Sequence, residues 1–259
     1  MPKDNADAAA MQARGETISV DLCVIGAGSG GLSVAAAAAA FGQRVVLIEK
    51  HKMGGDCLNY GCVPSKALIA AANRAHAMRT SRKFGIAPVE PNIDARAVHD
   101  HVKGVIAAIA PNDSVERFTG MGVRVITAAG KFIDRSTVMA GEHRITARRF
   151  VIATGSSPDV PPIPGLADVP YLTNETIFDN TTRLPHLIII GGGPIGMELA
   201  QAHRRLGSNV TVLEGAKALA KDDPELTAFV LKRLRDEGVD IREGALVQSV
   251  SGGHGKITV

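Results

Sequence analysis

Cys57 and Cys62 stand five positions apart in the stretch GGDCLNYGCVPSK, residues 54–66. Two thiols at that spacing can carry electrons as a dithiol and disulfide pair. On an ideal helix the Cα atoms of residues i and i+5 are about 8.6 Å apart, beyond the roughly 7 Å that a disulfide spans. Closure therefore needs a departure from helix, which Gly61 permits, while Pro64 suits a first helical turn. A cysteine at a helix N-terminus meets positive partial charge that favours its thiolate. Lys66, four residues after Cys62, shares its helical face and adds positive charge. The pattern reads as a redox-active pair. A structural bridge closing so short a loop gains little chain-entropy stabilisation. No further cysteines complete a zinc site, and no metal is expected. The third cysteine, Cys23, lies in an apolar run and reads as a small core residue.

The flanks of this stretch explain how it would be held. Residues 19–25 read as a buried strand that runs into GAGSGG at 26–31. A helix over 32–41 and a strand over 44–49 ending in Glu49 follow. Strand, glycine-rich turn, helix, strand and acid are the order of a dinucleotide-binding unit. Gly26 makes the tight turn, Gly28 lets the backbone approach a diphosphate, and Gly31 lets helix pack on strand. The helix N-terminus supplies amide donors, and Glu49 can accept from ribose hydroxyls. The order then recurs: a strand over 187–190, GGGPIG at 191–196, a helix over 197–206 and a strand over 209–213 ending at Glu214. Gly26 to Glu49 and Gly191 to Glu214 are both 23 positions, so the chain carries two such units in tandem.

Between the copies, the helix of the cysteine stretch is expected to continue over 67–83. A further helical segment follows over 92–119, broken near Pro111. Strands are expected over 123–127, 131–133, 137–140, 144–146 and 150–152, the last running into Ala153-Thr154-Gly155. Residues 158–170 hold five prolines and read as a connection. After the second unit a helix is expected over 224–237 and a strand over 240–250. Residues 1–16 read as a disordered tail. His99 and His101 fall two apart, do not share a helical face, and read as surface residues rather than ligands.

The formal charge of +3 is small and interspersed. The basic stretches at 74–83 and 203–205 read as solvated helix faces, and nucleic-acid binding is not expected. No apolar run reaches a bilayer span and no signal peptide opens the chain, so a cytoplasmic protein without a membrane partner is expected. In that reducing compartment a cysteine pair is more often catalytic than structural.

Two dinucleotide units with a CxxxxC just after the first resemble the flavin-dependent pyridine nucleotide–disulfide oxidoreductases, such as dihydrolipoamide dehydrogenase, glutathione reductase and mercuric reductase. GGDCLNYGCVPSK resembles the family's redox signature. The match extends to ATG at 153–155, LTNETIF at 172–178 and GGGPIGMELA at 191–200. The resemblance implies an α/β fold of two tandem Rossmann-like domains. An FAD-binding domain with the redox pair would cover 17–157. A linker and an incomplete NAD-binding domain would cover 158–259. It implies an oxidoreductase acting on a sulfur group, with FAD held by Gly26, Gly28, Gly31, Glu49, Lys50, Gly55, Ala153, Thr154 and Gly155. NAD would be held by Gly191, Gly193, Gly196 and Glu214, with NADH preferred over NADPH. Cys62 would be the sulfur beside the flavin and Cys57 the one that exchanges with substrate. Lys66, paired with Glu198, would sit near the flavin.

The resemblance also implies what stands apart. Asp56 occupies a position where the family usually has threonine. There it would disfavour a thiolate at Cys57, or else face solvent. Family members close with a dimerisation domain carrying a His–Glu pair, and this chain is expected to lack that domain and the homodimer interface that it forms. A small-molecule or protein-bound disulfide is the expected substrate. The segment PNDSVER at 111–117 resembles mercuric reductase-like bacterial members, which keeps metal-ion reduction as an alternative. A non-catalytic FAD- and NAD-binding fragment is the other.

Overall fold

The computed structural model describes residues 16–253 and 255–259. The tail expected over 1–16 thus lies, apart from Glu16, outside the described residues. The chain begins with β1 (Thr17–Ile25), α1 (Ser29–Ala40), β2 (Val45–Glu49), α2 (Gly55–Asn59), α3 (Cys62–Arg79), α4 (Ala95–Ile109) and α5 (Val115–Gly120). Next come β3 (Arg124–Thr127), β4 (Gly130–Asp134), β5 (Thr137–Ala140), β6 (His143–Ile152) and β7 (His186–Ile190). The chain closes with α6 (Pro194–Arg205), β8 (Asn209–Glu214), α7 (Pro224–Asp236), β9 (Asp240–Glu243), β10 (Ser251–Gly253) and β11 (Lys256–Thr258). It divides into two compact units. One takes the described residues up to Asn59 with Ile106–Ser157, the other Tyr60–Val105 with Pro158–Val259. Among the described residues no helix is long and apolar enough to cross a membrane.

In the first unit six strands form one sheet in the order β3-β2-β1-β6-β5-β4. The four strands from β3 to β6 are parallel, and β5 and β4 add antiparallel. Every residue of β2 is buried, as expected of a parallel strand covered on both faces. On one face Val24, Leu32, Ala35, Leu47, Phe118 and Val123 form a core under α1, whose alanines allow close approach. On the other face Ile18, Cys23, Val46, Ile48, Val138 and Ile145 pack together. Cys23 is fully buried there, and burial pushes its thiol up to about 11, so it is inert. The strands expected over 144–146 and 150–152 are one strand. β6 stays paired with β1 from Thr17↔Arg144 to Ile25↔Ile152. Arg148 reaches Asp21 at 3.6 Å, and the same carboxylate pairs with Arg44 at 3.2 Å.

The corner between β1 and α1 depends on two tight approaches. Gly26 has φ +103°, and a Cβ there would lie 2.2 Å from the Ala153 carbonyl oxygen. A Cβ on Gly31 would lie 1.8 Å from the Gly26 carbonyl oxygen, whereas one on Gly30 would meet nothing within 4 Å. The second unit repeats the arrangement: a Cβ on Gly196 would lie 2.4 Å from the Gly191 carbonyl oxygen.

In the second unit β7, β8 and β9 form a parallel sheet in that order. Met197, Ala200, Val212, Leu231, Leu234 and Ile241 build its core. The strand expected over 240–250 ends at Glu243. Gly244 takes φ +69°, and the chain turns back so that Gly244 N–H donates to Ala216 C=O and Ala245 N–H to Glu214 C=O, each at 2.9 Å. The basic stretch 203–205 is not a solvated face. The Arg205 side chain is 14% exposed, and His203 lines a cavity of about 50 Å³ with Leu68, Val102, Phe178 and Leu206. His99, expected at the surface, lines the same cavity. The His203 Nε2 is buried without a hydrogen-bond partner, and burial pushes this imidazole down to about 4.

Two stability predictions follow from this packing. An imidazole lowered from its ordinary 6.5 to about 4 favours the folded state fully above pH 6.5, and that contribution fades as pH falls toward 4. Between pH 7 and pH 5 the loss from His203 alone should be about 2 kcal/mol. His203→Phe should remove that share, so the difference between wild-type and variant urea midpoints should shrink or reverse at pH 5. Gly31→Ala should destabilise by roughly 1–3 kcal/mol, while Gly30→Ala, one residue away, should be neutral or stabilising by up to about 1 kcal/mol. Urea unfolding of both variants measures the contrast.

Candidate redox and dinucleotide sites

The acid at the end of each second strand acts first on the chain itself. Both Glu49 carboxylate oxygens accept backbone N–H bonds at 2.7 Å, one from Ala27 and one from His51. Both Glu214 oxygens do the same at 2.8 Å, from Gly192 and Ala216. In each copy the donors are the residue after the first glycine and the residue two beyond the acid. Ala27 and Gly192 hold the two acids in place, and sequence reasoning missed them because their contribution is a backbone amide. Each carboxylate oxygen keeps a further lone pair for a ribose hydroxyl.

The residues present fit a dinucleotide at both corners. Neither Gly28 nor Gly193 gives its helix a side-chain cap, so the first-turn amides of α1 and α6 are available to an anion. A Cβ on Gly193, as on Gly30, would meet nothing within 4 Å, and one on Gly28 would touch only Gly55 Cα at 3.8 Å. That open space beside the backbone is what a diphosphate requires. Of the other expected contributors, Ala153 N–H donates to Ile25 C=O at 2.8 Å, while Thr154, Gly155 and Lys50 are exposed.

The cysteine stretch is stitched to the first corner. Gly54 N–H donates to Ala27 C=O at 2.9 Å, and Gly28 and Gly54 form a parallel bridge. Gly55, at φ +54°, lies so close that a Cβ on it would sit 2.6 Å from Gly28 Cα. Gly54 was missed in the sequence, although the paired glycines before Cys57 were the available signal. Cys57 then falls in α2, half-buried, and Asn59 Nδ2 ties α2 back to the Gly55 and Met53 carbonyls at 2.8 and 3.1 Å.

Cys62 is the first residue of α3 and is exposed. The departure from helix expected at Gly61 is present, with φ −119° and ψ −110°. The helix expected over 67–83 thus begins at Cys62 and ends at Arg79. Pro64 and Ser65 are buried in its first turn, while Lys66 points outward. Lys66 Nζ lies 2.8 Å from both carboxylate oxygens of Glu198 on α6. Residues 132 positions apart are brought together, as the family resemblance implied. Asp56 is exposed on α2.

Comparison with known proteins agrees with this arrangement. The family described as pyridine nucleotide-disulphide oxidoreductase matches residues 20–259. A mercuric reductase from Bacillus cereus is 34% identical over 231 residues, covering 89% of this chain and 37% of that protein. A dihydrolipoyl dehydrogenase from Geobacillus stearothermophilus is 34% identical over 249 residues, 93% of this chain and 52% of its own length. The HOCl-induced flavoprotein disulfide reductase RclA from Escherichia coli, solved as a Cu(II) complex, superposes with TM-score 0.78 at 28% identity. That superposition covers 92% of this chain and 52% of RclA. The chain thus spans between about a third and a half of these relatives. With the family matched over residues 20–259, the chain belongs to the pyridine nucleotide-disulphide oxidoreductase family.

Proposed function

We propose that this chain takes electrons from NADH and delivers them, through FAD, to a disulfide formed by Cys57 and Cys62, for onward transfer to a disulfide substrate. The observation that carries the reading is the attachment of the cysteine stretch to the first glycine corner through Gly54 and Gly55. It ties the segment that carries Cys57 to a candidate diphosphate site. Bound FAD would supply two-electron transfer between nicotinamide and sulfur.

The chain's own residues do the rest. Gly26, Gly28, Gly31, Glu49, Lys50, Gly55, Ala153, Thr154 and Gly155 would bind FAD, and Gly191, Gly193, Gly196 and Glu214 the nicotinamide coenzyme. Residues 17–157 and 158–259 would be the corresponding domains. Opening the Cys57–Cys62 bond consumes two electrons and two protons and gives two thiols. Cys62, with its sulfur at the N-terminal end of α3, would face the flavin. Cys57 would attack the substrate disulfide, form a mixed disulfide and be released when Cys62 closes the ring again. Lys66, fixed by Glu198, would place a positive charge one turn along α3. A cytoplasmic setting and a homodimer in the whole protein belong to the same proposal. Mercuric reductases from several bacteria are among the similar relatives, which favours Hg²⁺ as a second class of electron acceptor. NADH oxidation dependent on Hg²⁺ rather than on a disulfide would select it.

The first test needs no turnover. Anaerobic addition of about one equivalent of NADH to the FAD-loaded oxidised protein should expose two titratable thiols, with Cys23 silent until the fold is opened. Long-wavelength absorbance from a thiolate beside the flavin should persist in Cys57→Ser and vanish in Cys62→Ser. Gly28→Val should lose flavin. No new thiols on reduction would overturn the proposal, and dependence of the band on Cys57 would reverse the roles of the two sulfurs.

Coenzyme choice gives a second test. Glu214 can accept from a ribose 2′-hydroxyl and repels a 2′-phosphate. NADH should bind about tenfold or more tightly than NADPH, with Glu214→Ala narrowing the gap. Titration showing tighter NADPH binding would refute the preference.

A further inference from the structure

Lys66 and Glu198 form one polar link between α3 and α6. Seven residues farther along both helices, Arg205 donates from Nη1 to the Asn73 side-chain oxygen. Lys66 to Asn73 and Glu198 to Arg205 are the same step, so the helices run parallel and in register, with the links roughly 10 Å apart along the axes. The two links differ in burial. The Lys66 and Glu198 side chains are 60% and 43% exposed, whereas Arg205 and its partner Glu237 are 14% and 6% exposed.

Arg205 is held from several directions. Its Nε and Nη2 donate to the two Glu237 oxygens at 2.6 and 2.7 Å. Arg233 also reaches Glu237, at 2.9 Å. The Arg205 carbonyl, at the C-terminus of α6, accepts from Arg79 Nη1 on α3 at 2.5 Å. Burial alone would raise the Glu237 carboxyl, but the Arg205 hydrogen bonds and the charges of Arg205, His76 and Arg233 hold it below its ordinary value. An exposed ion pair of two long side chains fixes little by itself. A largely buried arginine with both faces of its fork engaged fixes geometry well.

We propose that Arg205 is a positioning residue: anchored by Glu237, it sets the α3–α6 register through Asn73 and Arg79, and that register brings Lys66 onto Glu198. The meaning of Lys66 for electron transfer rests on the function proposed above, whereas the register itself does not.

The test is a double-mutant cycle on Lys66→Met and Glu198→Gln, read as unfolding equilibrium constants of the whole chain without coenzyme. In wild type the pair should show a coupling of about threefold. In an Arg205→Met background the coupling should fall to about onefold. Leu234→Ala, which opens the α7 core at a residue 2% exposed, should destabilise the fold yet leave the coupling intact, because a merely structural loss adds equally to every corner of the cycle. If Arg205→Met does not fold, Asn73→Ala combined with Arg79→Met removes the links from the α3 side and should erase the coupling in the same way. Coupling that persists undiminished in either background overturns the proposal. No step uses NADH or flavin, so failure of the redox reading and failure of this inference are seen separately.

Discussion

The structure depends on a constraint that is met twice: a glycine corner must turn a strand into a helix while leaving its amides open to a ligand. An open corner of that kind has few contacts of its own to hold it. Glu49 and Glu214 supply the missing ones, each tying the residue after the first glycine to the residue two beyond the acid. The same carboxylate that offers lone pairs to a ribose therefore also shapes the turn that would take the diphosphate. Shape and ligand chemistry are carried by one side chain, and the glycines clear the space around it.

The first corner carries a further load. Because Gly54 and Gly55 lie against Ala27 and Gly28, the segment that leads to Cys57 is held to the corner by backbone contacts, and Asn59 adds side-chain bonds within it. Backbone contacts of this kind hold the path of the chain whatever the side chains of the residues beside Gly54 and Gly55 contribute. That suits a reactive segment, whose neighbours can then be chosen for chemistry and access.

Much of this could be read from the sequence because it rests on local order. Strand, glycines, helix and acid follow one another within about thirty residues, and their repetition at one spacing was itself evidence. What could not be read depends on distant partners. Two strands were expected over 144–146 and 150–152, yet β6 is continuous beside β1, where Asp21 provides a partner for Arg148. The strand after Asp240 looked long, because nothing local announces that Gly244 and Ala245 bond back to Ala216 and Glu214. His203 and Arg205 looked solvated because charge suggests water. The cavity beside α4 and the carboxylate of Glu237, 32 residues on, make the opposite true. The link between Lys66 and Glu198 is as distant as these, and it was legible only through family resemblance.

The parallel register of α3 and α6 has an electrostatic side. Two helices running side by side in the same direction align their peptide dipoles, so their N-termini add positive potential at one end. Side-by-side parallel dipoles repel one another, and Arg205, Glu237 and Arg79 at the other end help to hold the helices together against that repulsion. Cys62 opens one helix and the Gly193 turn opens the other. Counting from the matched links, both starts lie about one turn before Lys66 and Glu198. The second unit therefore gathers its positive field where a sulfur anion would form on one helix and a phosphate would rest on the other, and Lys66 and Glu198 close that field off with a neutral pair one turn inside.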